Sequence, residues 1–133
     1  MKRILVIDDD AAVRESFVAA LECREYVISS ASSGLAGIES ARSQRPDLVF
    51  LDLKMPGLNG VETLAKLREQ CPDVPVYFVT GFHAEFLEPL RALRAQGAAF
   101  DLARKPLTVA EIRAIAANAL NQQAHAVNVP HAG

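Results

Sequence analysis

The chain has no tryptophan, only two cysteines, and aromatic residues at 6% of its 133 positions. Cys23 and Cys71 are far apart and form no C-x-x-C pair, which indicates reduced structural thiols and argues against a disulfide framework or a thiolate metal site. No apolar run approaches the roughly 20 residues needed to span a bilayer. Met1 is followed by a strand-like segment, with no secretory pattern, so a cytoplasmic protein without membrane contact is expected. A dominant charge of one sign is missing too. Fourteen basic residues against 16 acidic ones leave a net charge of −2, and the basic residues are scattered, so there is no electrostatic footprint for direct nucleic-acid binding. His83, His125 and His131 are too dispersed to suggest a ligand cluster. What is present is a composition half hydrophobic and 23% charged, which suits one globular domain with a sizeable core.

Short apolar runs alternate with segments of helical period. Ile4 to Ile7, Tyr26 to Ser30, Leu48 to Leu53, Val76 to Thr80 and Phe100 to Ala103 read as strands. Between and after them, apolar residues recur at helical spacing: Val13, Phe17 and Leu21; Leu35 and Ile38; Val61, Leu64 and Leu67; Leu90 and Leu93; Ile112, Ile115 and Leu120. The nearly unbroken apolar character of Leu48 to Leu51 and Val76 to Val79 suits parallel strands covered on both faces. Five β-α units and a doubly wound parallel α/β sheet follow. The pattern fades after Gln123, so residues 1–123 are expected to form the domain and 124–133 a mobile tail or linker stub.

The first apolar run ends in three consecutive aspartates, Asp8, Asp9 and Asp10. Two unit charges about 4 Å apart repel by roughly 4 kcal/mol at an effective dielectric of about 20, so like charges at the end of a buried strand need an offset. One of them can cap the following helix, where backbone N–H groups favour negative charge. The other two suggest a metal site. In doubly wound sheets, ligands bind outside the carboxyl ends of the strands. There this chain places Asp8 and Asp9 after the first strand, Asp52 at the third, Thr80 at the fourth and Lys105 after the fifth.

The acidic group Asp8-Asp9-Asp10, the segment L-D-L-K-M-P-G-L-N-G around Asp52, the T-G of Thr80-Gly81 and the K-P of Lys105-Pro106 together resemble the receiver domains of bacterial two-component response regulators. Each motif is weak alone, but the ordered set, spanning residues 3 to 106, is specific. The resemblance implies a flavodoxin/CheY-like (βα)5 fold with strand order 2-1-3-4-5. It also implies Mg2+-dependent phosphoryl transfer from a phosphohistidine, on a sensor histidine kinase or phosphotransfer protein, to Asp52. By family position Asp9 and Asp52 would bind the metal directly with the backbone carbonyl of Lys54, Asp8 would act mainly through water, and Asp10 would keep the capping role. Lys105 and Thr80 would contact phosphoryl oxygens. Such a protein catalyses its own phosphorylation and dephosphorylation without being a conventional enzyme. Its output would be a phosphorylation-dependent protein-interaction surface, on a monomer or weak dimer. The alternative is a receiver belonging to a longer, DNA-binding regulator.

Other classes explain less. A dehalogenase-type phosphatase uses a D-x-D motif that Asp8 and Asp10 fit formally, but Ala12 stands where a threonine or valine is usual, and the segment after Asp52 has no role. A dinucleotide-binding domain needs G-x-G-x-x-G after its first strand, where this chain has D-D-D-A-A-V. A degenerate receiver, serving only for docking, would not need the full set of five residues. Two departures from the family pattern carry expectations of their own. Thr80 and Lys105 are a few positions further apart than the resemblance suggests, so Pro89 to Gly97 is expected to form a short helix, preceded by an extended loop or separate turn from Phe82 to Glu88. Leu102 occupies the slot of a switching aromatic, with Phe100 two positions earlier on the same face of an ideal strand. The Phe82 to Glu88 segment is therefore the expected two-state element, with Phe100 as its rival.

Overall fold

The computed structural model describes residues 1–81 and 83–128, with side chains up to residue 121. Five strands, β1 (Lys2–Ile7), β2 (Tyr26–Ala31), β3 (Leu48–Leu51), β4 (Val76–Thr80) and β5 (Asp101–Arg104), alternate with α1 (Ala11–Leu21), α2 (Gly34–Ser43), α3 (Gly60–Gln70), α4 (Leu87–Ala95) and α5 (Val109–Asn128). The strands pair in parallel in the order β2-β1-β3-β4-β5, the expected doubly wound topology.

Alternation along each strand builds two cores. Leu5, Ile7, Val49, Leu51 and Phe78 face the side carrying Ile38, Leu64 and Leu93, from α2, α3 and α4. Ile4, Val6, Leu48, Phe50 and Val79 face Phe17, Leu21, Ile112 and Ala116, from α1 and α5. With both faces covered, the central strands are almost wholly apolar, and polar residues are confined to their ends.

Several boundaries differ from the expected ones. β3 stops at Leu51, one residue before Asp52, whose N–H still donates to the Ile7 carbonyl at 2.9 Å. β5 starts one residue later than expected, and α5 runs on to Asn128, beyond the fading of the apolar pattern at Gln123. Residues 129–133 of the expected tail lie outside the described residues. Of the two apolar residues at helical spacing in α2, Leu35 is exposed at its start, whereas Ile38 is buried.

After Thr80, a 3-10 turn over Ala84–Phe86 leads without a break into α4, so helical structure starts five residues before the expected Pro89. Helix α4 begins at Leu87, two residues before Pro89, because proline is tolerated anywhere in a first turn where its missing N–H has no partner to lose. Phe82 lies outside the described residues. Phe100 is 7% exposed, with its ring edge-on to Phe78 at 5.2 Å and the Arg94 guanidinium 4.1 Å above it. Leu102, the register partner of Phe78, is 52% exposed. It borders an apolar groove of about 170 Å³ between α4 and β5, lined also by Leu53, Thr80, Leu87 and Leu90. Phe100 is thus a core residue here, and the groove beside Leu102 is unfilled by any aromatic ring among the described residues.

Candidate functional site

The carboxyl ends of β1, β3, β4 and β5 converge on one acidic pocket. Asp8 and Asp52 are 3% and 6% exposed, while Asp9 lies open to solvent. A carboxylate oxygen from each of the three lies within 4.8 Å of the others, a set of hard oxygen donors of the kind that holds Mg2+. The Asp10 carboxylate is not among them, although the Asp10 N–H donates to Asp8 Oδ1 at 2.9 Å. Asp10 is the N-cap of α1, and its Oδ1 accepts from the Ala12 and Val13 N–H groups at 2.9 and 3.4 Å. The three adjacent acids therefore divide into two at the site and one cap.

Lys105 supplies the offsetting charge. Its ammonium donates to Asp8 Oδ2 at 2.9 Å and lies 3.5 Å from Asp52 Oδ1. The lysine N–H donates to the Thr80 carbonyl at 2.8 Å, which ties it to the end of β4. Burial raises the Asp52 carboxyl from 3.8 to about 6, helped by the charge of Asp8 and resisted by Lys105. Burial works against the Lys105 ammonium, but its hydrogen bond to Asp8 and the charges of Asp52 and Asp8 outweigh this and raise it. Thr80 is 6% exposed, and its Oγ1 is the buried side-chain oxygen left without a hydrogen-bond partner among the described residues. A hydroxyl desolvated in this way costs roughly 1–3 kcal/mol until something pairs with it.

The loop after Asp52 is built for close approach. Gly57 has φ +74°, in the left-handed region that glycine adopts without strain. Gly60 donates its N–H to the Leu53 carbonyl at 2.8 Å, and a Cβ there would collide with the Asp52 carbonyl oxygen. Asn59 and Glu62 then close a reciprocal capping box on α3. The side chain of Lys54 turns to Glu85, 3.6 Å away.

The residues singled out in the sequence at the strand ends, Asp8, Asp9, Asp52, Thr80 and Lys105, all meet here. Sequence reasoning missed Arg14, whose guanidinium donates to the Asp8 carbonyl at 2.8 Å from one turn into α1. An arginine on a helix surface carries no local signal of such a contact. It also missed the Asn59–Glu62 box, although N-x-x-E before an apolar period was there to be read.

The model of the response regulator receiver domain matches residues 4–117. The chain is 35% identical over 109 residues to the probable transcriptional regulatory protein TcrX of Mycobacterium tuberculosis, covering 82% of this chain and 45% of that protein. It is 34% identical over 116 residues to the transcriptional regulatory protein CseB of Streptomyces coelicolor, covering 84% and 48%. It thus spans less than half the length of these relatives. Among solved structures it resembles a CheY-like response regulator receiver domain protein from Methanospirillum hungatei, with a TM-score of 0.84 and 27% identity over 95% of this chain and 98% of that one. A receiver domain from Clostridium thermocellum superposes with a TM-score of 0.79 at 28% identity, over 93% and 98%. Among the described residues no helix is long and apolar enough to cross a membrane. By family model, relatives and topology alike, this chain belongs to the response regulator receiver domains.

Proposed function

We propose that this chain is a cytoplasmic phosphoacceptor in which Asp52 takes a phosphoryl group from a phosphohistidine on a sensor histidine kinase or phosphotransfer protein. The observation that carries the reading is Asp52 itself, buried between the Asp8–Asp9 acids and the Lys105 ammonium with an unpartnered Thr80 hydroxyl at the neighbouring strand end. An Asp52 carboxylate oxygen forms a bond to phosphorus as the phosphorus–nitrogen bond of the donor breaks, the electron pair leaving with the imidazole. The product is an acyl phosphate. Lys105 already touches both buried carboxylates, and its ammonium holds one phosphoryl oxygen as charge accumulates. Thr80 gains through its hydroxyl a partner that it lacks in the free protein.

The donor set of Asp8, Asp9 and Asp52 fits Mg2+, with the Lys54 carbonyl as the further ligand that family position assigns. When bound, the ion supplies charge neutralisation between an anionic nucleophile and an anionic phosphoryl group. Asp9 and Asp52 would hold it directly and Asp8 mainly through water, while Asp52 reacts and Lys105 and Thr80 orient the group transferred.

Incubation with Mg2+ and acetyl phosphate, followed by intact-mass measurement, should show one added phosphoryl group that disappears in Asp52→Asn. An unchanged stoichiometry in the variant would sink the reading. The output is proposed to be a protein-interaction surface that changes on phosphorylation. A second reading, the receiver of a longer DNA-binding transcriptional regulator, is supported by relatives named as transcriptional regulators of which this chain matches less than half. Determining whether the native reading frame continues past Gly133 separates the two.

A further inference from the structure

The acidic pocket draws two carboxylates from consecutive residues, and they are held in different ways. Asp8 is buried, and its carboxylate accepts from the Lys105 ammonium and from the Asp10 N–H, both at 2.9 Å. Asp9 lies open to solvent, so the direction of its carboxylate is set by its backbone. That backbone is held on both sides of the Asp9 Cα. The peptide before it carries the Asp8 carbonyl, which accepts from the Arg14 guanidinium at 2.8 Å. The peptide after it carries the Asp10 N–H, which donates to the Asp8 carboxylate. Because each peptide is planar, fixing the two planes that meet at one Cα fixes both of its backbone dihedrals.

Arg14 is suited to hold such a plane. Its own N–H donates to the Asp10 carbonyl at 3.1 Å, and the Asp10 side chain caps the same helix, so the residue that reaches back to Asp8 is carried by a helix whose start is tied to Asp10. Asp8, Asp10 and Arg14 thereby close a ring of hydrogen bonds around Asp9. The arginine is half-buried, and its rigid, planar guanidinium loses less freedom per hydrogen bond than an ammonium on a flexible stem. Its charge does the site no service, since a cation beside the three carboxylates opposes the binding of a second cation among them. The contact is accounted for by geometry.

We propose that Arg14 is a positioning residue for the metal site: by holding the Asp8–Asp9 peptide it aims the Asp9 carboxylate at the place it shares with Asp8 and Asp52. The proposal rests on the reading of these three acids as a Mg2+ site. Arg14 touches neither the ion nor the group transferred, and acts through Asp9. Freed of Arg14, the Asp9 carboxylate samples a wider range of directions. That loss penalises Mg2+, which demands near-ideal octahedral geometry, more than Ca2+, which accepts a flexible shell of oxygens.

Dissociation constants for Mg2+ and Ca2+, read from amide chemical shifts as each ion is titrated into the whole metal-free chain, test this without any phosphorylation. Arg14→Met should weaken Mg2+ binding about three- to tenfold and Ca2+ binding less, although loss of a positive charge alone would tighten both. Arg113→Met is the control. Its guanidinium donates to the Ala20 carbonyl at 2.8 Å, at the other end of α1, so the same charge and the same kind of bond are lost away from Asp9, and neither ion should bind more weakly. Should Arg14→Met not fold, Arg14→Lys, which keeps the charge without the planar fork, is expected to show the same preferential loss of Mg2+. Unweakened Mg2+ binding in the folded variant, an equal loss of both ions, or an equal loss in Arg113→Met overturns the assignment and leaves the three acids as ligands. A wild-type chain whose Asp8, Asp9 and Asp52 amides do not respond to Mg2+ overturns the metal reading and this one together.

Discussion

Asp52 is a buried carboxylate beside another buried carboxylate, and the protein bears the cost in its metal-free state. Its carboxyl lies at about 6 against an ordinary 3.8, chiefly through burial and next through Asp8. The folded chain holds this proton more tightly than the unfolded chain. The stability it contributes is complete below about pH 4 and is lost as pH rises through about 6. The difference corresponds to roughly 3 kcal/mol at most. Other carboxylates add their own slopes, so the quantity to follow is the stability of metal-free Asp52→Asn relative to wild type in denaturant titrations. That difference should widen in favour of the variant from about pH 4 to about pH 6 and be flat above. A constant difference across the range would show that Asp52 titrates as an ordinary carboxylate. At this scale the sequence was highly informative, because polar residues at the ends of apolar strands are conspicuous and four strands contributed five of them. The division of labour within Asp8-Asp9-Asp10 was also legible, since a helix start needs one cap and no more. Arg14 was not, since its contact depends on where the first turn of α1 sets a long side chain over the Asp8 carbonyl.

Among the elements, the loop from Asp52 to α3 determines where the Asp52 carboxylate sits. Gly60 is the first residue of α3 and lies against the Asp52 and Leu53 backbone, with no room for a side chain. Asn59, one position earlier, caps the same helix from the solvent side. The two invite opposite outcomes. Asn59→Ala removes a cap and should cost about 1 kcal/mol, with phosphorylation hardly changed. Gly60→Ala must displace backbone at Asp52, the proposed acceptor, so it should cost more than that, roughly 1–3 kcal/mol, and slow phosphorylation even where the protein is fully folded. Denaturation midpoints together with phosphorylation rates distinguish the cases, and equal rates in the two variants would contradict the positioning role. Elements were read less well than residues. The turn before α4 was anticipated from Pro89, yet the helix began before the proline, because a first turn accepts it at several positions. Leu35 and Ile38 share a helical period, but only tertiary packing decides which of them the sheet covers. Phe100, the rival switch candidate, is buried with its ring between Phe78 and Arg94, while Leu102 borders an apolar groove next to Thr80.

For the molecule as a whole, the acidic pocket and the two cores are coupled through the ends of the same strands. Leu5 and Ile7 in one core, and Ile4 and Val6 in the other, lead directly into Asp8. Val49 and Phe50 lead likewise into Asp52. Repulsion between the carboxylates therefore acts on the registers of β1 and β3, and a cation binding between them stabilises the entire fold. An ion that binds only the folded state adds RT ln(1 + [ligand]/Kd), about 2.7 kcal/mol at one hundred times Kd. For a chain of this size that is a rise in melting temperature of roughly 8–10 °C. Asp9, exposed and without a hydrogen bond to Lys105, is the member of the trio that the apo fold needs least. Asp9→Asn should melt no lower than wild type in the absence of Mg2+, since it removes a charge that repels Asp52. With Mg2+ added, it should lose most of the rise that wild type shows. Calcium and sodium controls at matched ionic strength separate site binding from screening. A variant that retains the full Mg2+-induced rise would remove Asp9 from the ligand set and leave Asp8 and Asp52 to hold the ion.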